Sequence, residues 1–276
     1  MHHIVSLSGG TSSAVAADRV ITRYGRKNVT LWFADTNWED EDLYRFMADC
    51  LKRWDGKTVT FLKGIMPKSV NRFLGTKLIV HTDGRTPLQV AEQQKIIPNN
   101  FLAPCTFRLK IEPFTAFLKT FPRPVTVHLG LNWDEQHRMP APKANYEAID
   151  GVTVDFPLLW QPYCWDTRQE IRDWGIKIPR LYELGFSHNN CGGRCVKQGI
   201  GEWNRLRIHL PDRFTEVKEW ELSRRALGGK LANRSIASRG VNGTKGPITL
   251  EEIELENSPI DSDTTQGDMF ACFCSF

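Results

Sequence analysis

The chain has no long hydrophobic run, no internal repeat and no marked excess of either charge. Without an apolar stretch of spanning length, a membrane-embedded protein is not expected. The first fifteen residues lack the basic start and small-residue cleavage site of a secretory leader. A structured-looking segment begins almost at Met1, so a cytoplasmic protein without presequence is predicted. The 36 Lys and Arg against 32 Asp and Glu leave a net charge of only +4, which permits an anionic partner without demanding one. What is present is 276 residues, 41% hydrophobic and 25% charged. That is enough for one α/β domain with additions, or for two small domains.

The most telling segment is Ile4-Val5-Ser6-Leu7-Ser8-Gly9-Gly10-Thr11-Ser12-Ser13-Ala14-Val15. Its apolar start reads as a buried strand that breaks at Ser-Gly-Gly and continues into small, helix-compatible residues. Paired glycines let backbone N–H groups approach an anion, and the following helix aims its positive end at the same point. The hydroxyls of Ser8, Thr11, Ser12 and Ser13 add donors. No Gly-Lys-Ser/Thr follows, so this is not a Walker loop. It resembles the Ser-Gly-Gly-x-x-Ser loop of the PP-loop ATP pyrophosphatases, the adenine nucleotide alpha hydrolase superfamily. That resemblance implies an ATP pyrophosphate cradle and cleavage beside the alpha phosphate.

Onward, strand-like and helix-like patterns alternate. Asn28 to Ala34, Thr58 to Leu62, Val125 to Leu131 and Val152 to Phe156 read as further strands, and Glu39 to Trp54 as an amphipathic helix. The expected fold class is α/β, a doubly wound, mostly parallel five-stranded sheet with a helical C-terminal region, Rossmann-like in kind. The predicted divisions are a nucleotide-binding domain over 1–157 with an insertion at about 64–124, a helical cysteine-containing region over 158–226, and an irregular tail or lid over 227–276. Within the insertion a helix is expected from about Phe107 to Phe121.

Four more segments match the phosphoadenylyl-sulfate reductase-like branch of that superfamily, in its order. Asp35-Thr36-Asn37-Trp38-Glu39 resembles a D-T-x-x-E element, and Cys105-Thr106-Phe107-Arg108-Leu109-Lys110-Ile111-Glu112-Pro113 a C-[ST]-x-x-L-K-I-x-P element. Gly130-Leu131-Asn132-Trp133-Asp134-Glu135-Gln136-His137-Arg138 is similar to G-x-R-x-x-E-S-x-R, with Asn132 where Arg is frequent. Leu181-Tyr182-Glu183-Leu184-Gly185 precedes Cys191-Gly192-Gly193-Arg194-Cys195, as L-Y-x-x-G precedes paired cysteines in the family. The resemblance covers roughly residues 4–210 and extends to the ATPases of DNA sulfur modification. It implies ATP contacts from Ser6, Ser8, Gly9, Gly10, Thr11, Ser12, Ser13, Asp35, Thr36 and Gly130, with Mg2+ as companion. It further implies catalytic roles for Ser8, Ser13, Arg108, Lys110 and Arg138.

Seven cysteines in an intracellular chain argue for metal or redox chemistry rather than a disulfide framework. Cys50 and Cys164 read as small packing residues. Cys191 and Cys195, separated by a flexible Gly-Gly-Arg, can face one centre, and Cys105 joins them through the resemblance. A 4Fe-4S cluster, a structural zinc or three unligated thiols all fit that pattern. Cys274, or alternatively Cys272, is the candidate fourth ligand. Lys197 and Arg194 either steer an anion or are solvated, and His188 reads as a solvent-facing donor.

The sequence thus predicts an ATP-dependent enzyme that adenylates an unidentified acceptor, for which tRNA or DNA is a candidate, for sulfur transfer from an unidentified donor, with a homodimer compatible. A sulfonucleotide reductase and a non-catalytic nucleotide- or cluster-binding module are the competing readings.

Overall fold

A computed structural model describes residues 2–55, 77–241 and 244–257. In chain order the strands and helices are β1 His2–Ser6, α1 Thr11–Tyr24, β2 Val29–Asp35, α2 Glu41–Asp55, β3 Lys77–Thr82 and α3 Pro87–Gln93. There follow α4 Pro104–Thr106, α5 Glu112–Thr120, β4 Val125–His128, α6 Pro140–Glu147, β5 Val152–Asp155 and α7 Thr167–Asp173. The chain continues with α8 Arg180–Glu183, α9 Ile200–His209, α10 Pro211–Arg225, β6 Ala237–Val241, β7 Thr244–Ile248 and α11 Leu250–Glu256. A π-helical turn, Phe107–Ile111, joins α4 to α5.

The first five strands form one parallel sheet in the order β3-β2-β1-β4-β5. Every residue of β2 is buried, as expected of a central strand covered on both faces. Alternation divides its side chains cleanly. Leu31 and Phe33 join Val5, Val15, Val20, Leu43, Met47 and Leu51 in a core under α1 and α2. Trp32 and Ala34 join Ile4, Phe114, Leu118, Val125 and Tyr146 in a core under α5 and α6. The chain leaves β1 toward β2 and leaves β4 toward β5, on opposite sides, so a crevice opens between the carboxyl ends of β1 and β4.

Expected and observed strands agree within a few residues for β1, β2, β4 and β5. The strand expected at Thr58 to Leu62 lies outside the described residues. The third strand described is β3, within the segment read as an insertion. Its run Leu78-Ile79-Val80 pairs with Leu31, Trp32 and Phe33. Among the described residues no helix is long and apolar enough to cross a membrane.

A third core gathers Phe186, Trp203, Leu206, Phe214 and Val217 with Ile236, Ile248, Leu250 and Ile253. This corrects the expectation of an irregular segment from residue 227. The hairpin β6–β7 and α11 supply apolar residues to the same core as α9 and α10, and α11 starts on a capping box in which Thr249 and Glu252 cap one another. Cys164 is a second correction. It is exposed rather than packed, because its loop 161–166 runs over the surface, whereas Cys50 is buried as expected.

Candidate functional site

The loop after β1 and the loop after β4 meet closely. A Cβ on Gly130 would lie 2.8 Å from the Ser12 carbonyl oxygen and the Ser13 Cα, so only glycine lets β4's loop touch the start of α1. Helix α1 has Gly10 at its N-cap and no side-chain cap, and its first turn faces a cavity of about 410 Å³. Ser13 Oγ donates to the Gly10 carbonyl at 2.9 Å and accepts from the Ser8 amide and the Ser8 hydroxyl at 3.1 Å each. That network fixes the loop from within. On the far side Thr11 Oγ1 meets Thr167 Oγ1 at 3.0 Å, and Asn189 Nδ2 donates to the Gly9 carbonyl at 2.9 Å.

Of the expected nucleotide and catalytic residues, Ser8, Gly10, Thr11, Ser12, Ser13, Gly130 and Arg138 line this cavity. Arg138 is buried and ion-paired with Glu135. Burial lowers its affinity for the proton and Glu135 opposes that shift. Asn132, in the position where Arg is frequent, spends its side chain on the Trp165 backbone and on capping the helical turn Trp133–Arg138. His188 also lines the cavity. Burial first, then the charge of Lys110, holds its imidazole down at about 4, so it is neutral at physiological pH.

The other expected residues lie elsewhere. Ser6 is buried in β1, and Gly9 contributes its carbonyl to Asn189. Asp35 accepts from Tyr44 Oη at 2.9 Å and from the Asn37 amide at 2.8 Å, so this carboxylate organises the end of β2 and does not line the cavity. Arg108 is a third correction: it is exposed and pairs with Glu112 at 2.8 Å, one helical turn away, because Lys110, two residues on and so on the opposite helix face, is the one buried. Arg194 is neither solvated nor in the cavity. It is buried, ion-paired with Glu216, and sits 4.3 Å over the Trp38 ring.

Cys105, Cys191 and Cys195 line a second, narrow cleft with Thr36, Lys110 and Lys197, nearly filled by its own side chains with free space of only about 10 Å³. The turn that carries the pair is left-handed: Cys191, Gly192 and Gly193 have φ of 53°, 58° and 81°. Glycine accepts this readily, but for Cys191 it costs about 1 kcal/mol or more. Glu39 compensates by accepting the Cys191 amide at 2.6 Å, while its other oxygen accepts from Thr36 Oγ1 at 2.8 Å. Glu39 is the main residue that sequence reasoning left without a role; its only signal was its place in the D-T-x-x-E element.

Two buried charges oppose one another beneath the sulfurs. Burial pulls the Lys110 ammonium down, but Glu39 and the three cysteines hold it above its ordinary range. Burial pushes the Glu39 carboxyl up, with Lys110 the chief opposing influence. Burial raises the Cys105 thiol to about 11. In the hydrogen-bonded pair the Cys191 thiol is high and the Cys195 thiol low, because Cys191 donates to Cys195, which also accepts the Lys197 amide. The cleft is clamped from outside by Asp40, fully buried, which accepts from Arg180 at 2.9 Å and Arg213 at 2.6 Å.

Three soft sulfur donors suit a thiophilic metal or cluster. Among the described residues, however, no three His, Cys, Asp or Glu side chains are arranged to hold an ion. Cys272 and Cys274 lie outside the described residues. Compared with models of known protein families and with curated proteins, the chain finds no match.

Proposed function

We propose that the chain binds ATP in the 410 Å³ cavity and adenylates an acceptor in tRNA or DNA, for sulfur transfer handled at the three cysteines. One observation carries this reading: an uncapped helix start, a hydroxyl-rich glycine loop and Arg138 share a cavity at the sheet's switch point, directly beside a thiol cleft. The loop and the helix end would bind the pyrophosphate oxygens. Arg138, with the magnesium that accompanies ATP, would neutralise charge developing on the leaving group.

An acceptor oxygen attacks the alpha phosphorus, forming one P–O bond. The Pα–O–Pβ bond breaks, and pyrophosphate leaves with the electron pair. A sulfur nucleophile at the oxidation level of hydrosulfide then displaces AMP from the activated carbon. An iron–sulfur cluster or a zinc ion belongs to the proposal as a ligand of Cys105, Cys191 and Cys195, where it would supply soft sulfur coordination. No step is assigned to it.

ATP labelled at the alpha phosphorus tests the reading. AMP and pyrophosphate are expected, with Ser13→Ala and Arg138→Met each slowing their release. ADP with inorganic phosphate, or sulfite released from phosphoadenylyl sulfate in place of pyrophosphate from ATP, overturns it. Iron, zinc and acid-labile sulfide analysis after anaerobic purification decides the sulfur half: protein with neither metal retires the cofactor.

A further inference from the structure

We infer that Lys197 couples the two chambers, so that ligation of the three thiols strengthens anion binding in the phosphate cavity, and the reverse. This rests on the nucleotide reading above. Among the described residues Lys197 alone lines both the 410 Å³ cavity and the thiol cleft. Its amide is directed at the Cys195 sulfur, and its side chain lies within electrostatic reach of Cys195 and Cys105 on one side and of Arg138 on the other.

Covalent connectivity gives a second link. Asn189 and Asn190 immediately precede Cys191, and Lys197 and Gln198 closely follow Cys195; these four residues line the cavity while the two cysteines line the cleft. One segment is therefore a wall with two faces. Asn189 also bolts it to the phosphate loop through the Gly9 carbonyl at 2.9 Å.

The sulfurs are neighbours but are not arranged around a common centre. Drawing them onto one atom would shift the left-handed turn Cys191–Gly193, which carries the first cysteine of the pair. That shift reaches Asn189, two residues before the turn's first cysteine, and Lys197, two residues after Cys195. A bound atom also takes up the Cys195 lone pairs at which the Lys197 amide is directed, which frees the Lys197 segment toward an anion in the cavity. Coupling of this kind is reciprocal by thermodynamic necessity.

Arsenite and inorganic pyrophosphate are suitable probes, since neither chelates the other. Arsenite condenses with three thiols, forming three As–S bonds and releasing three waters, with no change in oxidation state. Its uptake is read from sulfur-to-arsenic absorbance, and pyrophosphate affinity from calorimetry. Arsenite is expected to tighten pyrophosphate by about fivefold or more. Pyrophosphate should tighten arsenite by the same factor. In Lys197→Gln the gain should fall to nearly one while arsenite still binds, and Lys197→Arg should restore part of it. In Cys191→Ser the gain should vanish.

An unchanged or weakened pyrophosphate affinity on arsenite loading overturns the coupling, as does a gain that survives in Lys197→Gln or Cys191→Ser, or a failure of arsenite to bind. Pyrophosphate binding without the gain retires the coupling alone. No pyrophosphate binding under either condition retires the nucleotide reading with it.

Discussion

The two chambers are built on opposite principles. The phosphate cavity is wide and polar, and it is made by backbone: a glycine contact between two loops, a helix start and hydroxyls that tie the loop to itself. The thiol cleft is narrow and is made by side chains from three separate stretches: Thr36 and Glu39 after β2, the continuous helical run that carries Cys105 and Lys110, and the left-handed turn at Cys191. The first has a local nucleus in the loop Ser8–Ser13, around which Gly130, Thr167 and Asn189 close from distant parts of the chain. The second exists only when those stretches are docked, with Asp40, Arg180 and Arg213 holding them together.

The largest expected effect is on the cleft. Glu39→Ala leaves Lys110 buried without its carboxylate and the Cys191 amide without its acceptor. Each buried donor left without its acceptor, the Cys191 amide and the Thr36 hydroxyl, costs about 1–3 kcal/mol. Urea denaturation measures this, and Glu39→Gln, which keeps the acceptor oxygen, should lose less. A Glu39→Ala protein as stable as the parent would show that the cleft is not held in this way.

Gly130→Val addresses the other chamber. The new side chain meets backbone at 2.8 Å, which cannot rotate aside. Overpacking of that kind costs about 1–3 kcal/mol. Nucleotide affinity should fall by roughly tenfold or more, since each 1.4 kcal/mol is a factor of ten. Reaction of Cys191 and Cys195 with alkylating reagents, followed peptide by peptide, should change far less. Equal damage to both readouts would remove the distinction between the chambers.

Asn189→Ala cuts the bolt between them. Loss of its hydrogen bond to the Gly9 carbonyl should cost about 1 kcal/mol in thermal or chemical unfolding, and a matching few-fold in pyrophosphate affinity. An unaltered affinity would mean that the phosphate loop holds its shape without the cysteine segment.

The same contrast explains what could be read from residues in order. The loop Ser8–Ser13 is a local device, so its strand, turn and helix were legible in sequence, as were the strands β1, β2, β4 and β5 that frame it. β3 was missed because Lys77-Leu78-Ile79-Val80-His81-Thr82 sits within a segment set aside as an insertion, after the strand expected at Thr58 to Leu62. The structure of residues 229–256 was missed because its apolar residues are sparse, although Thr249 and Glu252 stand at capping-box spacing. Glu39 and Asn189 carry their roles through contacts more than 150 residues away in sequence, which no periodicity can signal. Lys110 was legible as a charge near the site, but which chamber it enters depends on how its helical run docks against the sheet.

Arg108 is the sharpest case of that dependence and carries the smallest expected effect. Two residues before Lys110, it carries a catalytic role in the sequence resemblance, yet it points to solvent and pairs with Glu112. A regular helix separates residues two apart by about 200°, so Arg108 and Lys110 cannot both face inward. With Lys110 buried among the cysteines, Arg108 must lie outside. An exposed pair one turn apart contributes about 0.3–0.5 kcal/mol. Arg108→Ala should therefore cost no more than that in unfolding and leave the steady-state rate of pyrophosphate release unaltered. Turnover that collapses while stability holds would place Arg108 in the reaction after all, against its exposed pairing with Glu112.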